Sequence, residues 1–189
     1  SDKEQGLSNQ EIFRALKDSL EEKEYQKVLI IPPDFTRFYS NAGYITNQYY
    51  HLLTEKGCQV DILPALGTHD PMSKEQFHAM YGDIPFEKVI PHHWRTDVET
   101  LGEVPSSYLK EITEGLWEDP IKVEVNRRLL DPSYDLILSV GQVVPHEVIG
   151  MSNHAKNIFV GVGGSEMINR TKKVSIIPGT VMCQILWSR

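Results

Sequence analysis

The chain has 189 residues, 40% of them hydrophobic and 9% aromatic, which suits one large domain with a real core and excludes a disordered composition. Its formal net charge of -7 argues against a general nucleic-acid or acidic-membrane partner, which needs a basic surface. Two cysteines, Cys58 and Cys183, form no Cys-x-x-Cys pair, the first residues are polar, and no apolar run reaches the roughly 20 residues of a membrane helix, so a cytoplasmic protein is expected.

In chain order, Ser8 and Glu11 have capping-box spacing, and Ile12, Ala15, Leu16 and Leu20 follow helical periodicity. Residues 28–31 are a continuous apolar run, suited to a parallel strand covered on both faces. A helix is expected over 41–56, with Ile45, Tyr49, Leu52 and Leu53 inward and Gly57 as its stop. Residues 60–65 read as the next strand. Ser73 and Gln76 again have capping-box spacing and open a short helix with Phe77 and Met80 inward. A shorter strand is expected at 88–90. The pattern is weak between Pro105 and Pro120, where Tyr108, Leu109 and Ile112 suggest a short helix. Residues 121–125 alternate as a half-exposed strand does, and 136–140, apolar but for Ser139, are expected at the centre of the sheet. The last strand candidates are 157–162 and 174–177, and 181–187 read as the start of an apolar helix. Strands alternating with helices predict an α/β fold, with a mostly parallel sheet, right-handed crossovers and helices on both faces.

In such a sheet, ligands bind at the carboxyl ends of the strands, and three polar segments directly follow predicted strands. In Asp34-Phe35-Thr36-Arg37, the Arg37 guanidinium suits a carboxylate or phosphate, and Thr36 adds a hydroxyl and an amide. The alternative is a self-contained turn in which Asp34 pairs with Arg37. In Gly67-Thr68-His69-Asp70, the imidazole is suited to proton transfer near neutrality, or is a surface histidine in a turn. The third segment, 143–156, places His146, His154 and Lys156 in one loop-to-helix passage. These are a proton acceptor, a possible metal ligand and a potential covalent anchor, since a lysine in an apolar pocket can lose its charge. A lysine snorkelling at a helix end is the plainer reading. His92 and His93, adjacent in extended chain, point to opposite faces and read as structural, as does Asn126. Gly161-Val162-Gly163-Gly164 offers amides and a helix dipole to a phosphate, without the full dinucleotide fingerprint.

Together these segments resemble the N-terminal domain of the nickel-pincer lactate racemase family. The matching residues are Asp34-Phe35-Thr36-Arg37, Leu66-Gly67-Thr68-His69-Asp70-Pro71-Met72, Val123-Glu124-Val125-Asn126-Arg127, Gly141-Gln142-Val143-Val144-Pro145-His146, and Gly150-Met151-Ser152 with Ala155-Lys156. The resemblance implies a Rossmann-like N-terminal domain, with 1–189 a single α/β domain of a larger two-domain enzyme. It implies a racemase or epimerase of a 2-hydroxy acid, working by hydride transfer to and from a nickel-pincer pyridinium mononucleotide. That cofactor is joined to the lysine matching Lys156, with Asp34 and Thr36 beside it. The catalytic histidine pair maps onto His69 and His146, and Arg37 onto the contact with the substrate carboxylate or cofactor phosphate. The chain departs from the family pattern in having Ser152-Asn153-His154 for Ser-Gly-Gly and Phe38 for a proline. The nickel-ligating histidine of the family falls at Lys172, an amine poorly suited to nickel at neutral pH, so no metal ligand is assigned. A divergent member acting on a sugar acid without nickel and a non-catalytic nucleotide- or anion-binding α/β domain are the alternatives.

Overall fold

Residues 6–20, 24–146 and 150–174 are described by the structure, a computed structural model, and of His146, Lys172 and Val174 only the backbone is. The first helix, α1 (Asn9–Asp18), starts at Ser8, whose hydroxyl accepts from the Glu11 amide while the Glu11 carboxylate accepts from the Ser8 amide. The apolar run then forms β1 (Lys27–Ile31), in which Val28, Leu29, Ile30 and Ile31 are fully buried. Its hydrogen bonds run on both sides. It pairs in parallel with β2 (Gln59–Ile62) and with β5 (Leu136–Ser139), giving the order β2-β1-β5, with Val28 opposite both Val60 and Leu136.

Alternate side chains of β1 feed two cores, because successive residues of a strand face opposite sides. Val28 and Ile30 join Leu53 of α2 (Ala42–Glu55) and Phe77 and Tyr81 of α3 (Lys74–Tyr81) on one face. Leu29 and Ile31 meet Leu63, Tyr134 and Val162 on the other. Each such fully buried aliphatic side chain contributes about 1.5–3 kcal/mol. The helices α2 and α3 touch backbone to backbone at Gly43, where an added Cβ would lie 2.1 Å from the Met80 carbonyl oxygen. The second face is covered by short elements, a 3-10 turn (Arg127–Leu130) and a π-helical turn (Asn157–Gly161), through Leu129 and Ile158.

A smaller unit stands beside this sheet. The strand β3 (Val98–Val104) runs antiparallel to β4 (Ile121–Asn126), with α4 (Ser106–Ile112) between them. Packed on β4 is α5 (Ser165–Val174), and Leu109, Ile121 and Met167 form a third core. The two units are joined by buried polar links. The Asn126 amide donates to the Val162 carbonyl at 2.7 Å. His92, 2% exposed, lies between the Gly163 carbonyl and the Asn126 carboxamide, as the structural reading of both residues predicts. The remaining strands, β6 (Pro145–His146) and β7 (Gly150–Met151), form a short antiparallel pair.

Several expectations change. The run 136–140 is not central: among the described residues β5 pairs only with β1, and Ile137 is exposed. The strand expected over 157–162 is instead the π-helical turn Asn157–Gly161, whose first side chain bonds across the ends of β1 and β5 rather than adding to the sheet. The strand expected at 88–90 reduces to one bridge, Val89 with Ile62, hemmed by Pro85 and Pro91. The strand β3 has no counterpart in the sequence reading. Val174 is the last described residue of α5, and 175–189, with most of the strand candidate 174–177 and the apolar run 181–187, lie outside the described residues.

Candidate functional site

The carboxyl edge of the sheet is built by the loops that leave β1, β2 and β5. After β1, Pro32 and Pro33 extend the chain. The Pro32 carbonyl accepts from the Ala65 amide at 2.8 Å, and the buried Tyr81 hydroxyl donates to the Pro33 carbonyl. Burial, with the charge of Asp34 nearby, holds that hydroxyl protonated well above the usual phenol range. Asp34 then caps a 3-10 turn (Phe35–Ser40), its Oδ1 accepting from the Thr36 amide at 3.2 Å and the Thr36 hydroxyl at 2.5 Å.

The second Asp34 oxygen, Oδ2, lies 2.5 Å from His69 Nδ1. The carboxylate side chain is 8% exposed and the imidazole 57%, so a buried acceptor orients a ring that remains open to a ligand. An ionised carboxylate only accepts hydrogen bonds, so Nδ1 carries the hydrogen and Nε2 is the proton-accepting atom of the neutral ring. The alternative pairing of Asp34 with Arg37 does not form. The Arg37 amide donates to the Asp34 carbonyl at 3.0 Å, while its guanidinium has no hydrogen bond or ion pair among the described residues.

Lys156 is presented by an unusual turn. Asn153 (φ 57) and His154 (φ 48) both sit in the left-handed region, which side chains other than glycine adopt at a cost of about 1–3 kcal/mol each. The Lys156 amide donates to the Asn153 carbonyl, and the Asn157 amide to the His154 carbonyl. The loop holding His69 is joined to this turn by the Gly67 amide, which donates to the Gly161 carbonyl at 2.7 Å.

A cavity of about 630 Å³ lies among these loops. Its size falls in the ~300–1,000 Å³ range of small-molecule pockets. Asp34, Thr36, Arg37, His69 and Lys156 all line it, so five of the six residues selected from sequence share one space. His146 lies on β6, next to the lining residue Pro145; its side chain lies outside the described residues, as does that of Lys172. The cavity also takes Asn153, one of the departures from the family pattern, and Ser40, Asn157, Ile168 and Thr171, which the sequence reading did not select. Only their positions after strands or on an amphipathic helix carried a signal for them. His154 does not line the cavity. Among the described residues, no group of three or more His, Cys, Asp or Glu could hold a metal ion.

The glycine-rich turn is not a vacant phosphate cradle. A Cβ at Gly163 would lie 1.9 Å from the Phe159 carbonyl oxygen, and one at Gly164 would lie 2.2 Å from Glu124 Oε2. That Glu124 oxygen accepts from the Glu166 amide at 3.0 Å, so the chain's own carboxylate already sits in the first turn of α5.

The family model described as "Lactate racemase N-terminal domain" matches residues 4–181. The crystal structure of a Thermotoga maritima protein superposes with a TM-score of 0.83 at 27% identity, over 92% of this chain and 42% of that one. The lactate racemase apoprotein from Thermoanaerobacterium thermosaccharolyticum superposes with a TM-score of 0.58 at 22% identity, over 82% of this chain and 34% of that one, a likeness of fold. The chain therefore spans less than half the length of either. No curated protein matches it.

Proposed function

The chain belongs to the lactate racemase N-terminal domain family, and on that premise we propose that it carries the acid–base and cofactor-binding half of an enzyme that inverts C2 of a 2-hydroxy acid. The single observation that carries this reading is the Asp34–His69 pair opening into a cavity that Lys156 and Arg37 also line. In the proposed reaction His69 Nε2 takes the hydroxyl proton of one enantiomer, and His146 serves the other. Arg37 holds the substrate carboxylate with two parallel hydrogen bonds. Lys156 is the attachment point of a pyridinium mononucleotide, with Asp34 and Thr36 beside it. When bound, such a cofactor would supply an acceptor for the hydride of the substrate's C2.

The organic part of that cofactor suits the chemistry of the cavity, which offers an amine, hydroxyls at Thr36 and Ser40, a guanidinium and room for a mononucleotide. The nickel ligand is another matter, because no described histidine takes the place of the family's ligand and that position is Lys172. We therefore assign no residue to nickel.

The test uses the complete protein, made in a host able to synthesise the cofactor. A mass adduct is expected on Lys156, together with inversion of a 2-hydroxy acid in deuterated water without loss of the C2 hydrogen. His69→Ala and His146→Ala should each lower kcat by about 10²–10⁴-fold. Unmodified Lys156, or exchange of the C2 hydrogen with solvent, rejects the hydride route. Metal analysis of the same sample decides whether nickel accompanies the adduct.

A further inference from the structure

The residue after Lys156 is tied into the sheet by its side chain. Asn157 is 8% exposed and lies at the start of the π-helical turn. Its carboxamide nitrogen donates twice, to the Ile31 carbonyl at the end of β1 (2.9 Å) and to the Ser139 hydroxyl at the end of β5 (3.0 Å). One side chain thus bridges two adjacent strands at the edge where the cavity opens. The Ser139 hydroxyl in turn donates toward Asn153 Oδ1 (3.4 Å), and Asn153 Nδ2 donates to the Gly141 carbonyl (2.9 Å). Lys156 therefore stands between two anchored asparagines that share one serine.

The same turn reaches the histidine side of the cavity. At its far end the Gly161 carbonyl accepts from the Gly67 amide, and a Cβ at Gly161 would lie 2.6 Å from the Ala65 Cβ. Irregular π-helical turns have poorer internal hydrogen bonding than α-helices and hold their shape only when the surroundings fix them. Here the donor is the buried Asn157 carboxamide, which is costly to leave unsatisfied, while its acceptor Ser139 is exposed and Asn153 half-buried. The turn has no other need of a carboxamide at 157, since its backbone amide is already satisfied by His154.

We infer that Asn157, acting through Ser139, is a positioning residue that fixes Lys156 at the sheet edge and in register with the His69 loop. This rests on the proposed role of Lys156 as the attachment point. Lys110, an exposed lysine on α4 ion-paired with Glu118, serves as the internal reference.

The experiment labels the full chain, without its cofactor, with pyridoxal 5′-phosphate. This is an anionic pyridine aldehyde that forms an imine with an amine and is fixed by borohydride, which reduces the C=N bond. Peptide mass spectrometry then gives the ratio of Lys156 to Lys110 labelling. Asn157→Asp, which keeps the shape and loses the donor, should lower that ratio by about tenfold, the scale of one lost buried hydrogen bond, and the milder Ser139→Ala, at an exposed serine, by about two- to threefold. Ser139→Thr, which keeps the hydroxyl, should restore it. Circular dichroism confirms that each variant is folded. A merely structural role would lower the melting temperature and leave the ratio unchanged; that result in folded Ser139→Ala overturns the inference. The labelling needs no turnover, so a fall in the ratio without racemase activity keeps the positioning role and rejects only the proposed reaction.

Discussion

At the scale of single residues, the site depends on which partner each polar group takes. Asp34 was legible as a functional candidate because it follows a buried strand, but its partner was not, since His69 is far away in sequence. Geometry now gives it a definite task. Asp34→Asn keeps the turn but can present an N–H to His69 Nδ1, which favours the wrong tautomer. The complete enzyme should lose about 10²-fold or more in kcat with a smaller change in KM, read from steady-state kinetics. His92 is a second case. Burial lowers its proton affinity, outweighing the Gly163 carbonyl that favours the charged form. Its Nδ1 accepts from Asn126 and has no place for a second hydrogen. The unfolded chain takes up a proton as pH falls through the ordinary value of 6.5, while the folded ring resists it, so stability is full above that pH and declines below it. Melting temperatures measured between neutral pH and pH ~5 should fall less steeply for His92→Gln, which is neutral throughout. Equal slopes would assign the acid sensitivity to other groups.

At the scale of elements, the strands that read clearly were those with unbroken apolar runs, and both capping boxes formed as spaced. The misread elements share a cause. A run such as 157–162 has the composition of a strand, yet the chain turns there with Asn157 bonded across the ends of β1 and β5, a tertiary contact that no local pattern records. The converse holds for β3, whose Glu99, Thr100, Gly102 and Glu103 hide a strand that exists because β4 offers it an edge. By sequence the glycines at 163 and 164 suggest amides for a phosphate, whereas what they provide is absence of volume. Glu124 fills the position an anion would take, and it should stabilise α5 as an N-terminal carboxylate does. Glu124→Ala is expected to cost about 1 kcal/mol, or roughly 2–4 °C in Tm for a domain of this size, by thermal denaturation. No change would mean that the Glu166 amide finds water equally well.

At the scale of the molecule, the α/β class and the convergence of three loops on one edge were both readable, because strand order and ligand position are linked in such sheets. The size of the sheet was not, since the number of partners a strand finds is a property of the whole chain. The outer side of β5 is where this matters most. Among the described residues its outward amides and carbonyls meet no other strand, and Ile137 is exposed beside them. Such a border is a template for self-association between copies, the hazard that well-behaved sheets blunt with lysine or proline. Protein handled at high concentration should therefore form assemblies that dissolve on dilution, seen as a concentration-dependent sedimentation coefficient, and Ile137→Lys should suppress them while leaving the melting temperature within about 1–2 °C. A coefficient independent of loading would mean that this border is already sheltered in solution.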